Sequence, residues 1–211
     1  MIKKLREISL FFNIEEDILK EISSFCYIKK YEKDKIIFFE NETKPYFYAV
    51  LFGQVLMYDV DLKGDIIPFN EFSKGEVFGL ISKLQNAPFC LNAKTQSHTI
   101  LIEINYKEFQ KYIEKQPFSN RIIKMLSNHI LKQTTMQKLL KYDSTTRVIY
   151  TLLHFPEKLK KKKYLLAKEL HMTPETFSRI LSKLKQENLI CYCENSIKIL
   201  KEEELRKKLR I

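Results

Sequence analysis

Apolar residues change their period twice along the chain. Ile8, Phe11, Ile14, Ile18, Leu19 and Ile22 recur at helical spacing, and Asn13 stands where a cap would precede Glu15, Glu16 and Asp17. From Cys26 to Ile104 the pattern becomes short runs rich in β-branched and aromatic residues, at 36–39, 46–51, 55–58, 66–69 and 99–104. Turn signals at 52–54, 61–64 and 73–75 separate them. Strands at intervals of roughly 8–12 residues predict an antiparallel sandwich or barrel. Beyond Asn105 the period is helical again. One helix starts at 105–113 and meets Pro117, and a longer one runs through 118–142 without a breaker. Asp143 opens a further helix that stops at Pro156. Residues 165–172 and 173–185 then form two helices about a tight turn. Asn188 closes the second, and 189–193 with 196–200 predict a hairpin turning at Glu194 and Asn195. This is a helix-turn-helix followed by a wing. The expected organisation is α+β: a β domain over 1–117, a long helix over 118–142 and a winged helix over 143–211.

Composition sharpens this division. The chain has 211 residues, 45% hydrophobic and 30% charged, as expected of an ordinary globular protein. Its formal charge is +11. From Asp143 onward there are 16 Lys and Arg against 9 Asp and Glu, so most of the surplus lies in the winged helix. A lysine run at Lys158 and Lys160–Lys163 adds to it, although such runs also occur in solvated loops. A basic module of this size points to a polyanion, and salt dependence is its test. All four glycines (Gly53, Gly64, Gly75 and Gly79) fall in the β domain. No run approaches the roughly 18 apolar residues of a membrane helix, and the first residues are too quickly acidic for an export signal. A cytoplasmic protein that does not engage a membrane is expected. Cys26, Cys90, Cys191 and Cys193 include no C-x-x-C pair, which suits reduced thiols. Cys90 reads as a buried bystander. Cys191 and Cys193 share a strand face, a packing pattern better than a metal site, and no metal is expected. Without a phosphate-cradling glycine loop, a Gly-x-Ser-x-Gly elbow or a His-Glu-x-x-His helix, nothing marks an enzyme.

Two helices carry the candidate chemistry. In the long one Ile123, Leu126, Ile130, Gln133, Gln137 and Leu140 alternate three and four apart. Such a seam fits two parallel helices across a dimer axis, with the glutamines setting register. The same spacing also fits an amphipathic helix lying on the β domain. In the second helix of the pair, Thr173 can cap, Pro174 suits the first position and Glu175 complements the helix dipole. Phe177, Ile180, Leu181 and Leu184 form an apolar stripe, and Glu175, Ser178, Arg179 and Ser182 fall on the opposite face. An arginine, an acid and a hydroxyl there can meet base edges in a major groove. Thr173, Thr176 and Lys183 complete the candidate DNA-binding set. An ordinary helical hairpin with a solvated polar face has the same pattern.

The whole chain resembles the Crp/Fnr family of bacterial transcription regulators. The resemblance rests on Phe52-Gly53-Gln54-Val55, Asp61-Leu62-Lys63-Gly64, Gly75-Glu76-Val77-Phe78-Gly79, Ala93-Lys94-Thr95 and the residues from Leu170 to Leu181, and it spans roughly residues 5 to 200. It implies an effector-sensing β-roll of the cyclic-nucleotide-binding jelly-roll type, a dimerisation helix and a winged helix-turn-helix. It further implies a homodimer on double-stranded DNA, contact with RNA polymerase and base reading by Glu175, Ser178 and Arg179. That Glu-x-x-Ser-Arg spacing is similar to the Fnr branch, which implies TTGA-type half-sites. His171 stands where the family often has glycine, in a turn where a positive φ is less comfortable for histidine.

The sensor departs from its relatives. In the cyclic-AMP branch a glutamate follows the glycine matching Gly79, with an Arg-Ser pair shortly downstream; here Leu80 and Ala87-Pro88 take those places. Without the arginine fork a buried cyclic phosphate has no partner, so cyclic AMP is not expected. Only Cys26 precedes residue 90, which argues against the Fnr iron–sulfur cluster. The cofactor is therefore open, with haem, sensed through one of His98, His129, His154 or His171, as the alternative. The expected effector pocket gathers Gly79, Leu80, Ala87, Pro88 and Gln133. A regulator acting through protein contacts alone is the other alternative.

Overall fold

The computed structural model describes residues 1–155, 163–193 and 196–209. The chain forms two compact units, Met1–Asn128 and His129–Ile211. The first opens with α1 (Ile2–Leu5), a 3-10 turn at Ser9–Phe11 and α2 (Glu16–Ser23). Eight strands follow: β1 (Cys26–Tyr31), β2 (Ile36–Phe38), β3 (Tyr46–Phe52), β4 (Val55–Val60), β5 (Ile66–Phe72), β6 (Val77–Phe78), β7 (Asn92–Thr95) and β8 (Thr99–Asn105). A short α3 (Leu80–Leu84) lies between β6 and β7, and α4 (Tyr106–Ile113) follows β8. The strands make two antiparallel sheets, ordered β1-β8-β3-β6 and β2-β7-β4-β5.

The continuous apolar run of β3 is explained by its position. Phe47, Ala49 and Leu51 join a core with α1, α2 and α4, whereas Tyr48 and Val50 point between the sheets. A strand buried on both faces loses its polar alternation. Amphipathic α4 begins sharply because the Asn105 side chain accepts from the amides of Lys107 and Glu108. Gly53, at φ +87°, tolerates no Cβ, which would collide with the His98 carbonyl and Thr99.

The helix α5 (Phe118–Leu139) is followed by turns, so it ends three residues short of Tyr142. The second unit then contains α6 (Ser144–His154), α7 (Lys163–Glu169), α8 (Pro174–Gln186), the hairpin strands β9 (Ile190–Cys193) and β10 (Ser196–Ile199), and α9 (Glu202–Lys207). Val148, Ile149 and Leu152 pack with Leu166, Ala167, Leu170, the α8 stripe, Ile197 and Leu205 in one core. The hairpin pairs Cys193 with Ser196 and Ile190 with Ile199. The expected stop at Pro156, the turn at Glu194 and Asn195, and the lysines at 158 and 160–162 lie outside the described residues.

Three local expectations are corrected. Asn13 caps nothing: it sits at φ +53° in the turn before α2, whose cap position is Glu15. A left-handed turn uses the tolerance of asparagine for that region rather than its capping oxygen. Helix α4 ends at Ile113, ahead of Pro117. Cys90 is exposed, because its neighbour Phe89 takes the buried place between the sheets.

Candidate nucleic-acid interface and sensor interior

The turn between α7 and α8 is tight and fully bonded. The amide of His171 donates to Lys168 and that of Met172 to Ala167, with His171 at φ +51°. The left-handed residue that the family often supplies as glycine is thus histidine here. Arg147 of α6 secures the same turn, its Nη1 donating to the Leu170 carbonyl at 2.7 Å and its Nη2 to Ser144 Oγ at 3.1 Å. This supporting arginine escaped the sequence reading; its only signal was a cation beside the apolar positions of α6.

Thr173 caps α8, accepting from the Thr176 amide at 3.2 Å. Phe177, Ile180, Leu181 and Leu184 are buried, which fixes the rotation of the helix. Thr173, Glu175, Ser178, Arg179, Ser182 and Lys183 are consequently exposed, and Thr176 is half-buried. The backbone amide of Glu175 and, less strongly, the Thr173 hydroxyl hold the Glu175 carboxyl below its usual range. It is therefore an ionised acceptor at neutral pH. Thr176, Arg179 and Lys183 also border a cleft of about 760 Å³, together with Asp143, Thr145, Glu187, Lys207 and Lys208. The lysines of α9 and the residue after it were not foreseen, because six residues of alternating charge blocks give no strong helical period.

The β-roll interior is filled by its own side chains. Phe38 stacks on Phe89 with ring centroids 3.7 Å apart, and Tyr48 stacks on Phe78 at 5.1 Å. The Tyr48 hydroxyl is buried without a hydrogen-bond partner among the described residues, and burial pushes its pKa up. Lys83 of α3 is buried with its Nζ 4.7 Å from the Phe89 ring centre, and desolvation lowers its pKa. The expected pocket residues of this unit do not converge there. Leu80 packs into the helix-side core, Ala87 is half-buried and Pro88 is exposed. Gly79 turns left-handed at φ +75°, where an added Cβ would stand 3.2 Å from Phe89 and 3.4 Å from Tyr48. Gln133 lies exposed in the second unit. With no arginine at Ala87-Pro88 and aromatic rings in the interior, these residues do not fit a cyclic nucleotide.

On α5, Ile123 and Ile130 are 60% and 63% exposed; Leu140, just beyond the helix end, and the seam glutamines Gln133 and Gln137 are exposed as well. Leu126 instead packs against the core of the first unit. Of the histidines, His98, His154 and His171 are exposed and His129 is half-buried. Among the described residues no group of three His, Cys, Asp or Glu side chains is placed to hold a metal ion. Burial pushes the Cys26 thiol up to about 12, away from reactivity. No described helix is long and apolar enough to cross a membrane.

Comparison with known families places two models in tandem on the chain. A cyclic nucleotide-binding domain matches residues 28–116, and a Crp-like helix-turn-helix domain matches residues 146–208. The chain belongs to the Crp/Fnr family. It has the fold of a Crp-family transcription regulator, with a jelly-roll-like N-terminal domain and a C-terminal helix-turn-helix. Similar solved structures include a CooA variant from Carboxydothermus hydrogenoformans, 19% identical over 92% of each chain with a TM-score of 0.77. FixK2 from Bradyrhizobium japonicum is 22% identical over 86% of this chain and 96% of that one, with a TM-score of 0.71. The Thermus thermophilus catabolite activator protein is 20% identical over 95% and 98%, with a TM-score of 0.55. At these identities the likeness is one of fold. No curated protein sequence matches the chain.

Proposed function

We propose that this Crp/Fnr-family protein is a homodimeric, cytoplasmic transcription regulator, and not an enzyme, that binds a two-fold operator through α8. The observation that carries this reading is the exposed face of α8, where Glu175, Ser178 and Arg179 project beside a threonine-capped start while the opposite stripe is locked in the core. Arg179 can hold guanine O6 and N7, Glu175 can accept from cytosine N4, and Ser178 adapts to either role. The exposed Ile123 and Ile130 support pairing of α5 with a second copy. Reading helices in such a dimer must stand about 34 Å apart, one turn of DNA. A signal that alters how the two α5 helices cross would shift the population able to bind. The filled interior of the roll favours a signal other than cyclic AMP. Selection of bound sequences from random duplex DNA tests the reading. A palindrome with TTGA-type half-sites one turn apart is expected, and recovery of no two-fold site would overturn it.

A further inference from the structure

The cleft beside α8 holds cations beyond the base-reading Arg179. Its lining carries four cations, Arg179, Lys183, Lys207 and Lys208, and two acids, Asp143 and Glu187. Both acids are already engaged. Asp143 accepts from the amides of Thr145 and Thr146 at 2.8 and 3.0 Å and from the Thr146 hydroxyl at 2.7 Å. Glu187 pairs with Lys208 at 2.9 Å. Arg179, Lys183 and Lys207 are exposed, and no acid among the described residues lies within ion-pair range of them.

Helix α9 is built to aim its charge this way. Its acids lead and its bases trail, in the order Glu202, Glu203, Glu204, Leu205, Arg206, Lys207. Glu202 is held by Arg206 at 2.7 Å and Glu204 by Lys201 at 2.9 Å, so two of the three acids are neutralised within the segment. Leu205 is fully buried in the unit's core and anchors the helix. Lys207 is thereby presented to the same cleft as Lys183, from a different element. The Thr145 side chain, exposed at the start of α6, adds a neutral donor to the rim.

We propose that this cleft seats the sugar–phosphate backbone bordering the half-site, with Lys183 and Lys207 each neutralising a phosphate. The inference rests on the proposed DNA binding by α8 and assigns it a separate, sequence-independent contact. Phosphate contacts fix register and orientation, whereas base contacts carry the selectivity. The chemistry fits, because ammonium groups on flexible stems suit point contact with phosphodiesters, and two lysines from separate elements can follow a strand.

The test uses the full chain and measures operator and scrambled-duplex affinity across a salt series. Each neutralised phosphate contributes a slope of about 0.9 in log K against log salt. Lys183→Gln with Lys207→Gln should therefore lower the slope by about 1.8 and weaken both duplexes by the same factor. Lys183→Arg with Lys207→Arg, which keeps the charges, should retain the wild-type slope. Thermal melting of both variants confirms that the unit is folded. An unchanged slope in the glutamine variant, with operator preference intact, overturns the cleft assignment alone. Absence of any operator preference in the wild-type chain overturns the α8 reading instead.

Discussion

The ring of Phe38 lies on that of Phe89 at a centroid distance of 3.7 Å, tilted by only 16°, between the two sheets of the roll. One ring comes from the edge strand β2 and the other from the segment after α3. Tyr48 and Phe78 belong to the same core, with ring centroids 5.5 and 6.1 Å from that of Phe38. Phe89→Ala should lower stability by about 3–5 kcal/mol, read from urea unfolding, because the ring is fully buried. Wild-type protein should show no rise in melting temperature with cyclic AMP; a saturable rise would defeat the idea of a self-filled roll.

The start of the reading helix offers a second measurement. The Thr173 oxygen accepts from the Thr176 amide, one of the donors that an α-helix leaves unpaired. Thr173→Ala should cost about 1 kcal/mol of unfolding free energy. Thr173→Ser should restore most of it. Loss of the same size in both would mean that the threonine methyl, not the cap, matters.

The helix-turn-helix and most strands were legible because their signals are local. Asp143 and Thr173 announce caps, the α8 stripe has a clear helical period, and β3 is a dense apolar run. The rest depends on tertiary context. Strand β7 reads Asn-Ala-Lys-Thr and looks like a loop; only Ala93 and Thr95, buried on alternate positions, reveal it as a strand. Strand β6 has two residues and α3 has five, too few for any period. Candidate reading residues follow from one helix and its rotation, so they could be named from spacing. The cleft joins α6, α8 and α9, and Lys207 reaches it only through packing of Leu205. Gly79, Leu80, Ala87 and Pro88 could be matched to the family by position, yet position does not say which way each faces.

Asp143 makes the second unit sensitive to acid. Hydrogen bonds from the Thr146 amide and hydroxyl hold its carboxyl below the usual range, with a smaller contribution from the Thr145 amide. A carboxyl depressed in the folded state contributes its stability above its unfolded pKa and loses it as pH falls through the folded value. The wild-type chain should therefore lose this contribution below roughly pH 4, near the unperturbed aspartate value. Asp143→Asn, which still caps, should keep stability near neutrality and show a shallower acid decline by circular dichroism. Identical acid curves would remove Asp143 from the account.

Dimerisation through α5 has its own test. Ile123 and Ile130 are both more than half exposed on α5, as is Leu131, whereas Ile122 and Leu126 pack inward. Ile123→Glu with Ile130→Glu should give a monomer by sedimentation and reduce operator affinity at least a hundred-fold, since a single half-site forfeits the linked second contact. A double variant that still sediments as a dimer would place the seam elsewhere.

Arg179 separates base reading from backbone contact. It stands on the exposed face of α8 with Glu175 and Ser178, and it also borders the cleft that holds Lys183 and Lys207. If its guanidinium reads a guanine, Arg179→Ala should lose about 1–3 kcal/mol of discrimination between operator and scrambled duplex. Phosphate contact alone would weaken both duplexes equally and leave their ratio unchanged. Arg179→Lys decides further: lysine keeps the charge but lacks the planar two-pronged donor, so selectivity should fall while the salt slope holds. Titrating both duplexes at two salt concentrations reads ratio and slope together, and an Arg179→Ala ratio equal to wild type would exclude the arginine as a base reader.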